Sequence, residues 1–268
     1  MRGLSESFKN ALKEGELKPI LDLVKNDRTI ELDIRENQIY LFYRGGALYM
    51  ITQADNGVYT FKNDYISSIN DKFDGGYCGE EARNQYSNGE FIKAIPFIKS
   101  VMDKHMLSVK KNDEREIQQL IVRENNLMSR KSPKNRSLVS KSTDYFFVGF
   151  EYPLSKNRKG VIDLVAIRYD TNRRSKTAGV LALVEVKFGT YAFNNKSGIA
   201  KHITDVEEFF ADKSRVNTLK NEAVDVFKFK HELAVRCYCC YSLSSLLNWL
   251  QFHVISGGRV CLTLLMNY

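Results

Sequence analysis

The fold is decided by Val161-Ile162-Asp163-Leu164-Val165-Ala166-Ile167, an apolar run interrupted by a single acid. A second apolar run follows after a polar stretch and reads Leu183-Val184-Glu185-Val186-Lys187. Because successive side chains of a strand point to opposite faces of its sheet, Glu185 and Lys187 share one face and the two valines take the other. Both runs are apolar on both faces, which is typical of strands in the covered centre of a sheet.

The charged residues in these two runs predict a metal site. If the strands pair as a hairpin, Asp163 lies beside Glu185, and two carboxylates and the Lys187 ammonium group converge at one end of a buried sheet. Ionised groups are costly in apolar surroundings unless something compensates them. Mg²⁺ is bound through one or two carboxylates, and such a metal can activate a water for attack on phosphate. We therefore expect Asp163 and Glu185 to bind Mg²⁺ or Mn²⁺.

Structural explanations of the same residues stay open. Glu-x-Lys also occurs on the solvent face of exposed strands, and Asp163 could be a strand-end residue that is bonded to backbone. A third explanation is a structural or interaction protein in which Asp163, Glu185 and Lys187 form a buried ion network. Such a protein would bind neither metal nor nucleic acid.

A helix is predicted to begin at Asp113-Glu114-Arg115-Glu116. Asp113 and Glu116 have the spacing of a capping box, which gives Glu116 a structural role. The Glu114 carboxylate interacts favourably with the helix dipole, and the sequence shows no other specific role for it. It is therefore a candidate for a third metal-binding carboxylate, with a purely structural role as the alternative.

A later helix is predicted from the stripe of Ile199, Ile203, Val206 and Phe210. At 100° per residue, His202 borders this apolar stripe, while Lys201 and Asp205 lie further toward solvent. His202 is a candidate for contacting a phosphate or ordering a water. The alternative is a histidine that only packs beside the apolar face.

The net charge of +8 is unevenly distributed along the chain. Residues 1–100 contain 13 Lys and Arg against 15 Asp and Glu, whereas residues 101–268 contain 27 against 17. Basic clusters can neutralise backbone phosphates, so we expect a nucleic-acid partner, DNA in particular. Solubility alone is the other explanation of each cluster. The candidate nucleic-acid-binding residues are Arg130, Lys131, Lys134, Arg136, Lys156, Arg158, Lys159 and Lys201.

Residues 1–77 are predicted to form an N-terminal helical segment and an antiparallel β-meander. Strand-like runs at 30–34, 39–43, 47–52 and 58–61 are separated by turn signals. In the first run, Ile30, Leu32 and Ile34 alternate with Glu31, Asp33 and Arg35, the pattern of a strand with one wet face. Tyr40, Tyr43 and Tyr49 are expected to pack the sheet rather than to stack on bases.

Residues 78–268 are predicted to form the second domain. It begins with mostly helical residues 78–128 and includes polar loops at 129–143 and 189–197. It ends in an extension, 234–268, that contains no acid and only two arginines. A zinc site at Cys237, Cys239 and Cys240 is disfavoured, because the spacing lacks the two-residue gap of finger sites. The absence of an apolar leader or a long apolar run favours a cytoplasmic location and no membrane contact.

The order of these motifs resembles the PD-(D/E)XK nuclease superfamily, whose αβββα core is found in restriction enzymes and Holliday-junction resolvases. The matching elements are the Glu114-Arg115-Glu116 helix start, the Gly160–Val165 strand, the Val184-Glu185-Val186-Lys187 strand and a following helix. They lie within residues 105–233. Ile162 stands where the family name has proline, and the last helix offers Lys201 and His202 in place of a glutamine.

The resemblance implies an α/β, restriction-endonuclease-like fold with a central mixed sheet flanked by helices. It implies metal ligands at Asp163 and Glu185, with Glu114 as the helix ligand, and a Lys187 that orients the attacking water and offsets charge at the phosphate. The expected activity is metal-dependent hydrolysis of phosphodiester bonds in DNA. A nucleic-acid-binding protein of the same fold without catalysis is an alternative. The meander and the tail have no counterpart in the αβββα core, and substrate selection and homodimer formation are the roles considered for them.

Overall fold

The computed structural model describes residues 2–54, 59–62, 88–108, 113–128, 145–154, 160–168, 179–187, 199–233, 249–256 and 259–267. The chain divides into two compact units, Met1–Arg123 and Glu124–Tyr268. Helices and strands occur in both units, so the mixed α/β class is confirmed. The domain boundary predicted between residues 77 and 78 lies outside the described residues. Among the helices that are described, none is long and apolar enough to cross a membrane.

The first unit begins with two short helices, α1 (Glu6–Lys13) and α2 (Lys18–Asn26). The Ser5 hydroxyl accepts the Phe8 N–H at 3.2 Å and so caps α1. Pro19 lies in the first turn of α2, where its missing N–H costs nothing. Both helices bury an apolar stripe, which explains why such short segments are stable here.

A four-stranded antiparallel meander follows, as predicted. Its strands are β1 (Glu31–Arg35), β2 (Gln38–Tyr43), β3 (Gly46–Gln53) and β4 (Tyr59–Lys62), and their order in the sheet is the order in the chain. Residues 88–108 and 113–128 form helices α3 (Asn88–Ser108) and α4 (Asp113–Met128). The mostly helical character predicted for residues 78–128 is therefore found wherever that stretch is described.

The wet face predicted for β1 is wrong. Glu31 and Asp33 are only 1% and 0% exposed, so both faces of this strand are covered. Oδ2 of Asp33 accepts a hydrogen bond from Nε of Arg35 at 2.8 Å, and Nη1 of Arg2 lies 3.9 Å from Oδ1. A carboxylate can be buried when cations compensate it. Alternating charge in a sequence does not reveal whether that compensation exists.

The meander tyrosines pack as expected. Tyr49 is fully buried, and the Tyr40 hydroxyl donates to Oε1 of Gln38 at 2.9 Å. The Tyr43 hydroxyl donates to Oδ1 of Asp103 on α3 at 3.0 Å. Burial, followed by this contact with a carboxylate, raises the pKa of Tyr43 to about 12. These contacts favour packing over base stacking.

The turn between β2 and β3 contacts α4 closely. Nε and Nη2 of Arg44 donate to the two carboxylate oxygens of Glu116 at 2.8 and 3.0 Å. Gly45 has a φ of +77°, and a Cβ there would lie 2.4 Å from the backbone carbon of Arg115, so only glycine fits. Glu116 therefore has a structural role, as predicted, although its partner here is Arg44. The side chain of Asp113, its proposed capping partner, lies outside the described residues.

The second unit contains a five-stranded mixed sheet. Its strands are β5 (Tyr145–Pro153), β6 (Val161–Arg168), β7 (Val180–Lys187), β8 (Trp249–Ser256) and β9 (Arg259–Asn267), in that spatial order. Neighbours are antiparallel except β7 and β8, which are parallel. The crossover between those two contains α5 (Ile199–Ala211) and α6 (Lys213–Glu232). The sequence predicted β5, β6, β7 and α5, but not β8 and β9.

The core of this unit lies along β5, β6 and β7. Nearly every residue from Ile162 to Ile167 and from Leu181 to Val186 is buried, as expected for central strands. Phe146 packs edge-on against Phe227 of α6, with ring centroids 5.1 Å apart. Asn126, near the end of α4, exchanges two hydrogen bonds with the Phe147 backbone of β5. The loops predicted at 129–143 and 189–197 lie outside the described residues.

Candidate active site

The paired strands β6 and β7 bring the two predicted acids to neighbouring positions. Their antiparallel register runs from Arg168 opposite Val180 to Leu164 opposite Val184. One further residue along each strand leads to Asp163 and Glu185. Residues that lie directly opposite each other on antiparallel strands share a face of the sheet. The predicted hairpin between the two acid-bearing strands is therefore confirmed.

The Asp163 carboxylate is fixed by the neighbouring strand. Its Oδ2 accepts the backbone N–H of Val186 at 2.8 Å, and the side chain is half-buried. This is the bond to backbone that the structural explanation of Asp163 expects. The same bond also orients the side chain beside Glu185, so it is compatible with a site as well as with a purely structural role.

Glu185 is the most deeply buried acid of the second unit that is described. The residue is 0% exposed, and Nζ of Lys187 lies 2.5 Å from its Oε1. The contact agrees with the shared face that strand alternation predicts. Because the Lys187 side chain is 10% exposed, this ion pair sits at the edge of the buried sheet. Ion pairs in such places resist screening by salt.

His202 approaches the same carboxylate from α5. Its Nε2 lies 3.2 Å from Oε1 of Glu185, and its side chain is 21% exposed. Its Nδ1 is buried and has no hydrogen-bond partner within the part of the chain that the structure describes. Burial, and then the charge of Lys187, lower the pKa of His202, so the imidazole is neutral at neutral pH. His202 therefore joins the two strand residues in one cluster.

Gly160 of the β6 motif and Asp205 of the later helix lie close together, a contact that was not predicted. Gly160 precedes β6 with a φ of +70°, and a Cβ at this position would lie 3.1 Å from Oδ2 of Asp205. Helix α5 therefore passes directly beside the backbone at the start of β6. The signal in the sequence is a glycine just before the β6 run, together with an acid one helical turn after His202.

The remaining candidates are only partly described. Lys201 is exposed on α5, as expected for a phosphate-binding residue. Glu114 is half-buried in the first turn of α4, within the first unit, and its assignment as a metal ligand stays a prediction. The other predicted basic residues and the predicted cysteines lie outside the described residues: Arg130, Lys131, Lys134, Arg136, Lys156, Arg158, Lys159, Cys237, Cys239 and Cys240.

The donor set fits a hard divalent cation. Within the described ranges, no group of three or more His, Cys, Asp or Glu side chains is arranged to hold a metal. A closed zinc site needs four protein ligands. Mg²⁺ differs because it is commonly bound through one or two carboxylates and keeps waters or substrate phosphates as further ligands. Asp163 and Glu185 satisfy that smaller requirement.

No protein-family model, curated protein or solved structure matches this chain.

Proposed function

We propose that the chain is a metal-dependent nuclease that hydrolyses phosphodiester bonds in DNA. One observation carries the proposal: adjacent positions of β6 and β7 hold the Asp163 and Glu185 carboxylates, and Lys187 contacts Glu185 at 2.5 Å. Carboxylate oxygens are the ligands that Mg²⁺ prefers, and one or two of them are commonly enough to bind it.

The order of elements supports a restriction-endonuclease-like core. Helix α4, strands β5, β6 and β7, and helix α5 follow one another as in the αβββα arrangement. Asp163 falls on the second of these strands, and Glu185 and Lys187 fall on the third. In this proposal, the N-terminal helices, the meander, α3 and the pair β8–β9 are additions to the core.

The residues of the cluster have separate roles in the proposed reaction. Asp163 and Glu185 would hold Mg²⁺ or Mn²⁺. When bound, the metal lowers the pKa of a water and polarises the phosphate. Lys187, at the edge of the buried sheet, orients that water and stabilises the negative charge that develops on the phosphate oxygens. The apolar strands around Glu185 exclude competing water.

DNA is the proposed substrate because of where the positive charge lies. Residues 101–268 contain 27 Lys and Arg against 17 Asp and Glu, and this stretch includes the acidic cluster. The surplus of cations would attract a polyanion to a site whose own ligands are acidic. Binding should therefore weaken steeply as the salt concentration rises.

A cleavage assay tests the proposal. Purified protein is incubated with plasmid, linear duplex, single-stranded and branched DNA in the presence of Mg²⁺, Mn²⁺ or EDTA. We expect cleavage of at least one substrate with metal and none with EDTA. Asp163→Asn and Lys187→Met should lower the rate about 100-fold or more. Glu207→Gln, an exposed acid on α5, is the matched control and should leave the rate unchanged.

Retained cleavage by folded Asp163→Asn or Lys187→Met protein would reject the assignment. The absence of cleavage with every substrate and metal would reject the nuclease function as a whole.

A buried ion network with a purely structural role is the second candidate. It is favoured by the close contact of Lys187 with Glu185 and by the hydrogen bond from Val186 N–H to Asp163. In that case, Lys187→Met would cost about 3–5 kcal/mol, because it leaves a buried carboxylate uncompensated. Metal ions would then change neither stability nor activity.

A further inference from the structure

We propose that Arg215 is a substrate-binding residue whose guanidinium group contacts a backbone phosphate of the bound nucleic acid. The inference rests on the proposed function, because it names a contact of the same substrate. Arg215 lies in the first turn of α6 and was not among the basic residues predicted to bind nucleic acid. It adds a described cation to a set that otherwise lies mostly outside the described residues.

The guanidinium group of Arg215 lies against a fixed aromatic ring. Its Cζ is 5.1 Å from the centre of the Phe209 ring, within the range of a cation–π interaction. Phe209 is only 1% exposed, and its ring in turn contacts those of Phe210 and Tyr152, with centroids 6.0 and 6.3 Å away. An arginine that is already held against such a ring loses less conformational entropy when it binds an anion.

The N–H donors of Arg215 are not taken up by an acid. Among the residues that the structure describes, no carboxylate forms an ion pair with this half-exposed guanidinium group. Asp212, three residues earlier, instead accepts the backbone N–H of Arg215 at 3.1 Å and so caps α6. A contact with an aromatic ring leaves the N–H donors for other partners, and their planar fork matches two oxygens of a phosphate.

Contacts connect Arg215 with the strand positions beside the proposed active site. Phe209 touches Tyr152 of β5, and Tyr152 is the register partner of Ile162 on β6. Ile162 directly precedes Asp163, one of the two proposed metal ligands. A nucleic-acid strand carries a phosphate at every nucleotide, so a strand bound at Asp163 has further phosphates on both sides of the cleaved one. We expect Arg215 to bind one of these neighbouring phosphates rather than the phosphate that reacts.

The test is DNA binding without cleavage, measured by fluorescence anisotropy with a short labelled duplex and the corresponding single strand, in EDTA and in Ca²⁺. Arg215→Gln removes the cation, and Arg215→Lys keeps the charge but lacks the planar guanidinium group. Lys213→Gln is the matched control, because it removes an exposed cation from the same turn of α6. Losing one phosphate contact should raise the Kd of Arg215→Gln about 5–10-fold in about 0.1 M salt and make the slope of log Kd against log salt smaller by about 0.9. We expect an intermediate Kd for Arg215→Lys and a much smaller change for Lys213→Gln.

The outcomes separate this inference from the proposed function. An unchanged Kd and salt slope in folded Arg215→Gln would overturn the phosphate contact and leave the nuclease proposal standing. An equal loss in Lys213→Gln would overturn it too, because any cation of this surface would then have the same effect. A natural chain that binds neither form of DNA in either condition would overturn both this inference and the proposed substrate. If Arg215→Gln fails to fold, a larger increase of the Kd in Arg215→Lys than in Lys213→Gln supports the contact, and an equal or smaller increase overturns it.

Discussion

Two strands of this protein, one in each unit, contain the same short pattern of an acid followed two residues later by a cation. On β1 it is Asp33 and Arg35, and on β7 it is Glu185 and Lys187. Both acids are fully buried, and both contact their own cation, at 2.8 Å and 2.5 Å respectively. In burial and in the contact with their own cation, the two acids are alike.

Their further neighbours differ. Arg2, a second cation, faces Asp33 at 3.9 Å. Glu185 is faced by the neutral imidazole of His202, and the next strand contributes Asp163, a second acid. One carboxylate between two guanidinium groups is a compensated charge. Two carboxylates at neighbouring strand positions offer the oxygen ligands that a hard divalent cation prefers.

This difference shows that a buried acid does not by itself indicate a functional site. Burial of a charge requires compensation, and at Asp33 the chain supplies that compensation from its own side chains. At Glu185 the neighbouring strand adds a second acid, Asp163, and the proposed function is inferred from that pair of acids.

The largest expected effect is on catalysis. Glu185→Gln keeps the size of the side chain but removes a metal ligand, and should lower metal-dependent DNA cleavage about 100-fold or more. Asp33→Asn makes the equivalent change on β1 and should leave the rate per folded molecule unchanged. Initial rates on the preferred DNA substrate, corrected for the folded fraction, give the comparison. Equal losses of cleavage rate in Glu185→Gln and Asp33→Asn would contradict the proposed difference between the two sites.

For the free energy of unfolding we expect the opposite order, with a larger loss from the substitution on β1 than from the one on β6. Asp33→Asn leaves two guanidinium groups without their carboxylate and should cost about 3–5 kcal/mol of unfolding free energy. Asp163→Asn should cost less than about 1 kcal/mol in EDTA, because the amide oxygen still accepts the Val186 N–H. Urea denaturation measures both. A larger loss for Asp163→Asn would favour the structural ion network.

A backbone substitution tests how closely α5 must approach the sheet. Gly160→Ala places a methyl group against Asp205 at a φ of +70° and should cost about 1–3 kcal/mol. Gly3→Ala is the control, since no atom lies within 4 Å of the added carbon. If Gly160→Ala and Gly3→Ala change thermal unfolding equally, the close approach of Asp205 to Gly160 has no energetic consequence.

The smallest effect concerns Tyr43 of the first unit. Its pKa is raised to about 12, above the value of about 10 expected in the unfolded chain. Its contribution to stability is therefore complete below pH 10 and is lost as the pH rises through 12. Tyr43→Phe should remove this part of the pH dependence and cost about 1 kcal/mol at neutral pH through the lost hydrogen bond to Asp103. Urea midpoints at about pH 9 and about pH 11 provide the test. An unchanged pH dependence would contradict the assignment.

Local patterns were sufficient for much of the fold. Alternation and turn residues predicted the meander, and unbroken apolar runs predicted β6 and β7 as central strands. The strands β8 and β9 were not predicted: residues 234–268 were noted only for their lack of charge, although Leu250, Phe252 and Val254 alternate with Gln251 and His253. The parallel pairing of β8 with β7 depends on a long crossover, which a local pattern does not specify.

The candidate site was predictable only along the strands. Alternation places Lys187 beside Glu185, and antiparallel pairing places Asp163 next to them. The contact of His202 with Glu185 depends on how α5 packs on the sheet, and helical periodicity showed only that His202 borders the buried stripe. The burial of Asp33 depends on Arg2, which is far from it in sequence. The pattern of residues adjacent in sequence does not show when a buried charge is compensated by a residue far away in the chain.

Isothermal titration calorimetry with Mn²⁺ tests the central claim most directly. The account predicts that one ion binds per natural chain, that binding is lost in Asp163→Asn and Glu185→Gln, and that it is retained in Asp33→Asn. The absence of binding heat with the natural chain, or binding that survives both substitutions at the β6–β7 acids, would contradict it.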